Sequence, residues 1–185
     1  LSSQLSTESM RRTLVLSLTL LLLWTLVAEA NDLLTGLRVY LFVGALYIAY
    51  AALAQPFRSG LAASLIGGLI CDANAPGSSF GTHTLLFAAA HAGVFHLRDR
   101  LPRDDPTSRV IIALLANLAL FLVFSFSQMH RLPAPAAAWP RLFADLVCSQ
   151  VLLALIAPWF FAVQSRALVL ARVARATLAG PGRGR

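Results

Sequence analysis

The sequence has no lysine, only two cysteines and two methionines, and few charges: among 185 residues there are 15 basic side chains, all arginine, and 8 acidic ones. Charged residues make up 12% of the chain, about half of the roughly 25% usual in soluble domains. Such scarcity excludes a disordered chain and a charged coiled-coil rod. The two cysteines, Cys71 and Cys148, are far apart in sequence. They exclude a disulfide-framed mini-protein, match no metal or redox spacing, and read as small apolar side chains. The four histidines form no H-E-x-x-H and no Cys/His pair, so no metal ligand set and no cofactor is expected.

What is present is apolar. Hydrophobic residues account for 58% of the chain and the mean hydropathy is +0.73. A soluble core needs no such surplus, so the chain reads as an all-α polytopic membrane protein. A pI near 11.0 in a soluble domain would suggest nucleic acid. Here the arginines fall between apolar runs, where they anchor loops at a membrane surface.

Six apolar segments can be marked, at 13–30, 37–54, 60–71, 81–97, 110–127 and 142–163. Five approach the ~20 residues that a spanning helix needs. The third is short, about 18 Å at the helical rise. With six spans and a cytoplasmic N-terminus, only Arg38, Arg131 and Arg141 face outward and the other arginines face the cytoplasm. If the third segment did not span, the excess would invert, against the positive-inside rule. The expectation is a bundle of six transmembrane helices, with both termini cytoplasmic and the third helix short, irregular and central. Residues 1–12 are expected to be a disordered cytoplasmic segment, with Met10-Arg11-Arg12 resembling a start. Residues 13–165 would form the membrane domain and 166–185 a basic cytoplasmic tail able to lie on anionic lipid. Arg11-Arg12, the following apolar run and Ala28-Glu29-Ala30 imitate a cleavable signal. The length of the run and the five segments after it argue for a retained span. Trp139 and Trp159 fall near opposite ends of the sixth segment, as interfacial anchors do.

Small residues suggest where helices meet. Gly60, Ser64 and Gly68 repeat at i, i+4 and i+8 and define a packing face on the third helix, extended by Ala63 and Gly67. Tyr40, Gly44 and Tyr47 are expected to share one face of the second helix, with Tyr50 one turn on. Asp72 reads as the start of a polar turn, and Asp145 as an interfacial residue one helical turn from Arg141. Asn117 lies mid-way along the fifth segment. Gly77-Ser78-Ser79-Phe80-Gly81 formally fits G-x-S-x-G, but that motif needs a strand before it and a helix after. His83, His91 and His96 share no helical face. The glycines and serines therefore read as a tight turn, and no enzymatic activity is expected.

The stretch Gly67-Gly68-Leu69-Ile70-Cys71-Asp72, then Pro76 to Gly81, then Thr82-His83-Thr84-Leu85-Leu86-Phe87, resembles the MreD family of rod shape-determining membrane proteins. There an apolar helix ends in G-L-x-x-D, a short turn closes on glycine, and a leucine-rich helix runs into a basic cluster. The matching positions are Gly68, Asp72, Gly77 and Gly81 for the turn, and Arg98, Arg100, Arg103 and Arg109 for the basic cytoplasmic loop. The turn is one residue longer than the commoner form, P-L-G is replaced by Ser79-Phe80-Gly81, and the basic tail is not a family feature. The resemblance implies a non-enzymatic subunit of the cell-elongation machinery that organises lateral peptidoglycan synthesis. The implied partners are an MreC-like protein, the MreB cytoskeleton and the wall-synthesis glycosyltransferase and transpeptidase. The implied fold is like that of the substrate-binding subunits of energy-coupling-factor transporters. The alternative is therefore such a vitamin-transporter subunit, with Tyr40, Tyr47, Asn117 and Asp145 as pocket candidates.

Overall fold

The computed structural model describes residues 2–74, 80–98, 105–129 and 135–170. Six helices follow one another: α1 (Ser2–Leu34), α2 (Gly44–Ala54), α3 (Phe57–Asn74), α4 (Thr82–Leu97), α5 (Pro106–Met129) and α6 (Pro135–Leu170). No β-sheet is present among the described residues. A 3-10 turn, Thr35–Leu37, closes on Arg38 in the left-handed region (φ 56°), and residues 39–43 then run without helix to α2.

The short helix is α2, not α3. The sequence Gly-Ala-Leu-Tyr-Ile-Ala-Tyr-Ala-Ala-Leu-Ala is apolar on every face, and such a helix belongs in a core. Every side chain from Ala45 to Ala52 is buried, and α2 packs against all five other helices. The expected third helix is corrected as to irregularity and central position, and it is not the shortest of the six. α3 is a continuous 18-residue helix, and Leu65, Ile66 and Leu69 leave one of its faces outward. The irregularity moved because a gap in the hydropathy pattern marks a polar turn, whereas a broken backbone inside an apolar run leaves no such mark. The expected tyrosine stripe is also divided: Tyr40 lies on the non-helical lead, while Tyr47 and Tyr50 lie buried in α2.

Among the described residues, three helices are long and apolar enough to cross a membrane: Thr13–Leu37, Thr107–Met129 and Ala137–Leu170. Their outward faces are leucine-rich, with Leu14, Leu18, Leu22 and Leu26 exposed on α1 and Leu115, Val151 and Leu155 on α5 and α6. In hydrocarbon this costs nothing, because lipid tails are as apolar as leucine. Trp139 and Trp159 are both exposed. They are separated by about 30 Å of helix at ~1.5 Å per residue, close to the ~30 Å of a hydrocarbon core.

The helix ends follow local chemistry. Asp105-Pro106-Thr107-Ser108 starts α5. Asp105 accepts from Ser108 N–H (3.1 Å), the Ser108 hydroxyl (3.0 Å) and Thr107 N–H (3.3 Å), and Pro106 has no N–H to leave unpaired. The Ser108 hydroxyl first, and the Thr107 N–H next, hold the Asp105 carboxyl below its ordinary range. α6 begins at Pro135 for the same reason and carries Pro140 inside it, so the loop expected up to Arg141 is partly helix. α1 extends back to Ser2, where a disordered segment was expected. A helix nucleated by an apolar run propagates through Ser, Thr, Gln and Glu at little cost. α6 runs to Leu170, and the rest of the basic tail lies outside the described residues.

The α2–α3 approach depends on Gly60, where a Cβ would lie 2.6 Å from the Ala51 carbonyl oxygen. Gly60→Ala is expected to lower stability by about 1–3 kcal/mol through overpacking. Gly93→Ala, whose Cβ meets open space, should cost nothing. Thermal unfolding of the two detergent-purified variants checks this, and equal midpoints would contradict the close approach.

Candidate functional site: two polar clasps in an apolar bundle

The first clasp holds the non-helical lead to α2. In an extended chain the N–H and C=O of one residue point to one side and those of the next residue to the other. The contacts follow that alternation. Leu41 faces α1: its N–H donates to Asn31 Oδ1 (2.7 Å), and Asn31 Nδ2 donates to its carbonyl (3.1 Å). Tyr40 and Phe42 face the other side. Tyr40 N–H donates to Asp145 Oδ1 (2.8 Å), Phe42 N–H donates to Ser149 Oγ (2.9 Å), and Asn117 Nδ2 donates to the Phe42 carbonyl (3.0 Å). Asp145 and Ser149 are one turn apart on α6 and so share a face. Four side chains from three helices thus do what a neighbouring strand would do. An unpaired backbone group in hydrocarbon costs several kcal/mol, and this cradle is what lets the segment run unwound.

The second clasp closes the α3–α4 hairpin. Asp72 is buried at the end of α3 and accepts five hydrogen bonds from the start of α4. Oδ1 takes His83 N–H (2.9 Å) and His83 Nδ1 (2.8 Å). Oδ2 takes Gly81 N–H (3.0 Å), Thr84 N–H (3.1 Å) and the Thr84 hydroxyl (2.7 Å). A carboxylate at a helix N-terminus satisfies donors that have no partner within the helix and meets the positive end of the helix dipole. Gly81 sits in the left-handed region, with φ at 96°, a conformation that strains any residue with a Cβ. Gly68, one turn before Asp72, lies so close to Thr84 that a Cβ would run into its Cα.

The structure places the other expected residues as follows. Ser64 and Gly60 continue the stripe of Gly68 along α3, against α4. The Ser64 hydroxyl lies 3.3 Å from His91 Nδ1, and a Gly60 Cβ would lie 2.5 Å from His91 Cε1. His91 is fully buried beside Phe57 and Phe95. Gly67 points elsewhere, toward Leu20 of α1. Arg98 is no free loop cation. Its guanidinium lies over the Phe95 ring at 3.5 Å and donates to the carbonyls of Gln55 (3.2 Å) and Ala52 (3.4 Å), capping the C-terminus of α2. Arg109 sits in the first turn of α5, half-buried. Gly77, Arg100 and Arg103 lie outside the described residues.

Sequence reasoning missed Asn31 and Ser149. It read Asp145 as a neighbour of Arg141, whereas the contact found is the Tyr40 N–H. The available signal was the presence of polar side chains inside apolar helices, which are costly unless they face protein. Asn31 hid because it follows the first apolar run and looks like a loop. His83 was set aside for sharing no face with the other histidines, yet its partner is Asp72, across the turn. The two clasps also touch: His83 stacks on Phe124 (4.5 Å between centroids), and Phe124 meets Phe42 edge-on at 5.6 Å.

The arrangement positions backbone and helices. Asp72 accepts bonds from the turn and the start of α4, and Asn31, Asn117, Asp145 and Ser149 accept from or donate to the lead. Compared with known proteins, residues 10–166 match the family described as rod shape-determining protein MreD. No curated protein and no solved structure matches the chain.

Asn31→Ala removes both partners of Leu41, and a loss of about 1–3 kcal/mol is expected. The same change should speed amide exchange at Leu41 and Phe42 before the helical amides respond. Uniform exchange across the bundle would contradict a cradle that acts locally.

Proposed function

Given that the chain belongs to the MreD family of rod shape-determining membrane proteins, we propose that it is a non-enzymatic subunit of the cell-elongation machinery of a rod-shaped bacterium. In this reading it helps organise lateral peptidoglycan synthesis from the cytoplasmic membrane. The single observation that carries the reading is the family match over residues 10–166, which includes both clasps. The proposed partners are an MreC-like protein, the MreB cytoskeleton and the wall-synthesis glycosyltransferase and transpeptidase. The chain acts through helix faces and turns, with no reacting group required of it. Nothing in the comparisons favours the transporter reading, and it is not retained.

The proposed topology has six spans with both ends in the cytoplasm. An 11-residue α2 crosses with the help of its lead: five residues at ~3.3 Å and eleven at ~1.5 Å reach about 33 Å if collinear, against a core of ~30 Å. The 18 residues of α3 and 16 of α4 give about 27 and 24 Å, short enough to require flanking residues at the interface. In this topology Arg98 lies at the cytoplasmic end of α4, and the Asp72–Gly81 clasp lies at the outer side. We assign the outer docking surface for partners to that clasp, because Asp72 fixes where α3 stops and α4 begins.

Asp72→Ala leaves five donors without an acceptor, and Gly81→Val forces a branched residue into a positive φ. Cells carrying either change at the native locus are expected to lose rod shape and to recover markedly less MreC-like partner by crosslinking, while the protein still inserts. Normal rods with normal partner recovery in both strains would remove the proposal.

A further inference from the structure

We infer that the pocket between the unwound lead to α2 and the facing ends of α5 and α6 binds a cationic head group, an alkyl ammonium. The pocket holds about 190 Å³. That is below the ~300–1,000 Å³ of sites for drug-sized ligands, and it suits a group the size of a side chain. Four aromatic rings line it: Tyr40, Phe42, Phe121 and Phe124. Asp145 lines it too, and is only 5% exposed.

The electrostatics of Asp145 point to a ligand. Its Oδ1 accepts one neutral donor, the Tyr40 N–H. No arginine or histidine comes within ion-pairing distance of it among the described residues, where the one ion pair joins His83 and Asp72. A buried charge without a counter-charge is expensive. Asp72 shows the contrast, since five hydrogen bonds compensate it. Aromatic faces attract cations, so rings and carboxylate favour the same ligand and disfavour an anion. Asp145 therefore stands at both places: its Oδ1 holds the lead through the Tyr40 N–H, and the residue lines the pocket. The ammonium has two sources, a soluble amine or the primary-amine head group of a phospholipid, and the chemistry is the same for both.

The two methionines of the chain make the test direct. Met129 lines the pocket, and Met10 lies on α1, outside it. In protein labelled with methionine carrying a ¹³C-methyl group, in phosphatidylglycerol nanodiscs, n-butylammonium is expected to shift the Met129 signal saturably and leave Met10 in place. n-Butanol, similar in shape and neutral, should not reproduce the shift. Asp145→Asn keeps an acceptor for the Tyr40 N–H and removes the charge, and it is expected to weaken binding about tenfold or more. Phe121→Leu, which removes one ring that meets Phe42 edge-on but leaves every hydrogen bond to the lead in place, should weaken it about threefold. In nanodiscs of phosphatidylethanolamine, a Met129 signal already at the bound position assigns the ammonium to lipid; a signal that moves only with added amine assigns it to a soluble group. Equal shifts with butanol, insensitivity to Asp145→Asn, or no shift would overturn the inference. So would binding seen only in Arg141→Ala, since the pocket would then belong to the chain's own guanidinium.

Discussion

A backbone that leaves helical form inside an apolar bundle must find hydrogen-bond partners there, and the rest of this structure is arranged around that constraint. Residues 39–43 expose N–H and C=O groups to both sides. Asn31 answers on one side, and Asn117, Asp145 and Ser149 on the other. These contacts tie α1, α5 and α6 to one short segment. Because that segment leads into α2, they also fix the depth at which the central helix starts. The wholly apolar surface of α2 then fits a position surrounded by all the other helices.

The hairpin of α3 and α4 solves a related problem at a helix end. The first N–H groups of α4 have no partners within the helix, and Asp72 supplies them from the end of α3. For the carboxylate to reach, the two helices must approach closely, which Gly68 permits and a larger residue would not. The turn must also reverse sharply, which the positive φ of Gly81 allows. Gly68, Asp72 and Gly81 are thus parts of one device, and each requirement follows from the others. Rings carry contact from this device to the strand: His83 on Phe124, and Phe124 against Phe42.

At the opposite end of α4, Arg98 performs a third capping task. Its guanidinium rests on Phe95 and reaches the last carbonyls of α2. A charge in a short loop between two apolar segments reads as a surface cation, and part of its surface role is indeed given up to this contact. Only the fold shows that Ala52 and Gln55 end within its reach. Asp145 is a similar case. Beside Arg141 in sequence it suggests a surface ion pair, but the rotation of α6 turns it inward to the strand.

The sequence by itself determined the solvent. No lysine, few charges and long apolar runs are incompatible with a soluble core, and the number of apolar segments equals the number of α-helices among the described residues. It also marked a polar turn starting at Asp72 and closing on Gly81, because turn chemistry is local; Gly68, Asp72 and Gly81 stood together only through the family resemblance. Helix periodicity and capping are short-range physics, legible within a few residues. Tertiary structure decided which helix is short, which is central, and what the isolated polar residues hold. Asn31, Asn117 and Ser149 are scattered among apolar helices, and their partners lie 10, 75 and 107 residues away. No local pattern records that an apolar run will break at Val43 and be held by side chains of three helices. The break is tolerable only because distant side chains satisfy its backbone, and that is a property of the assembled bundle.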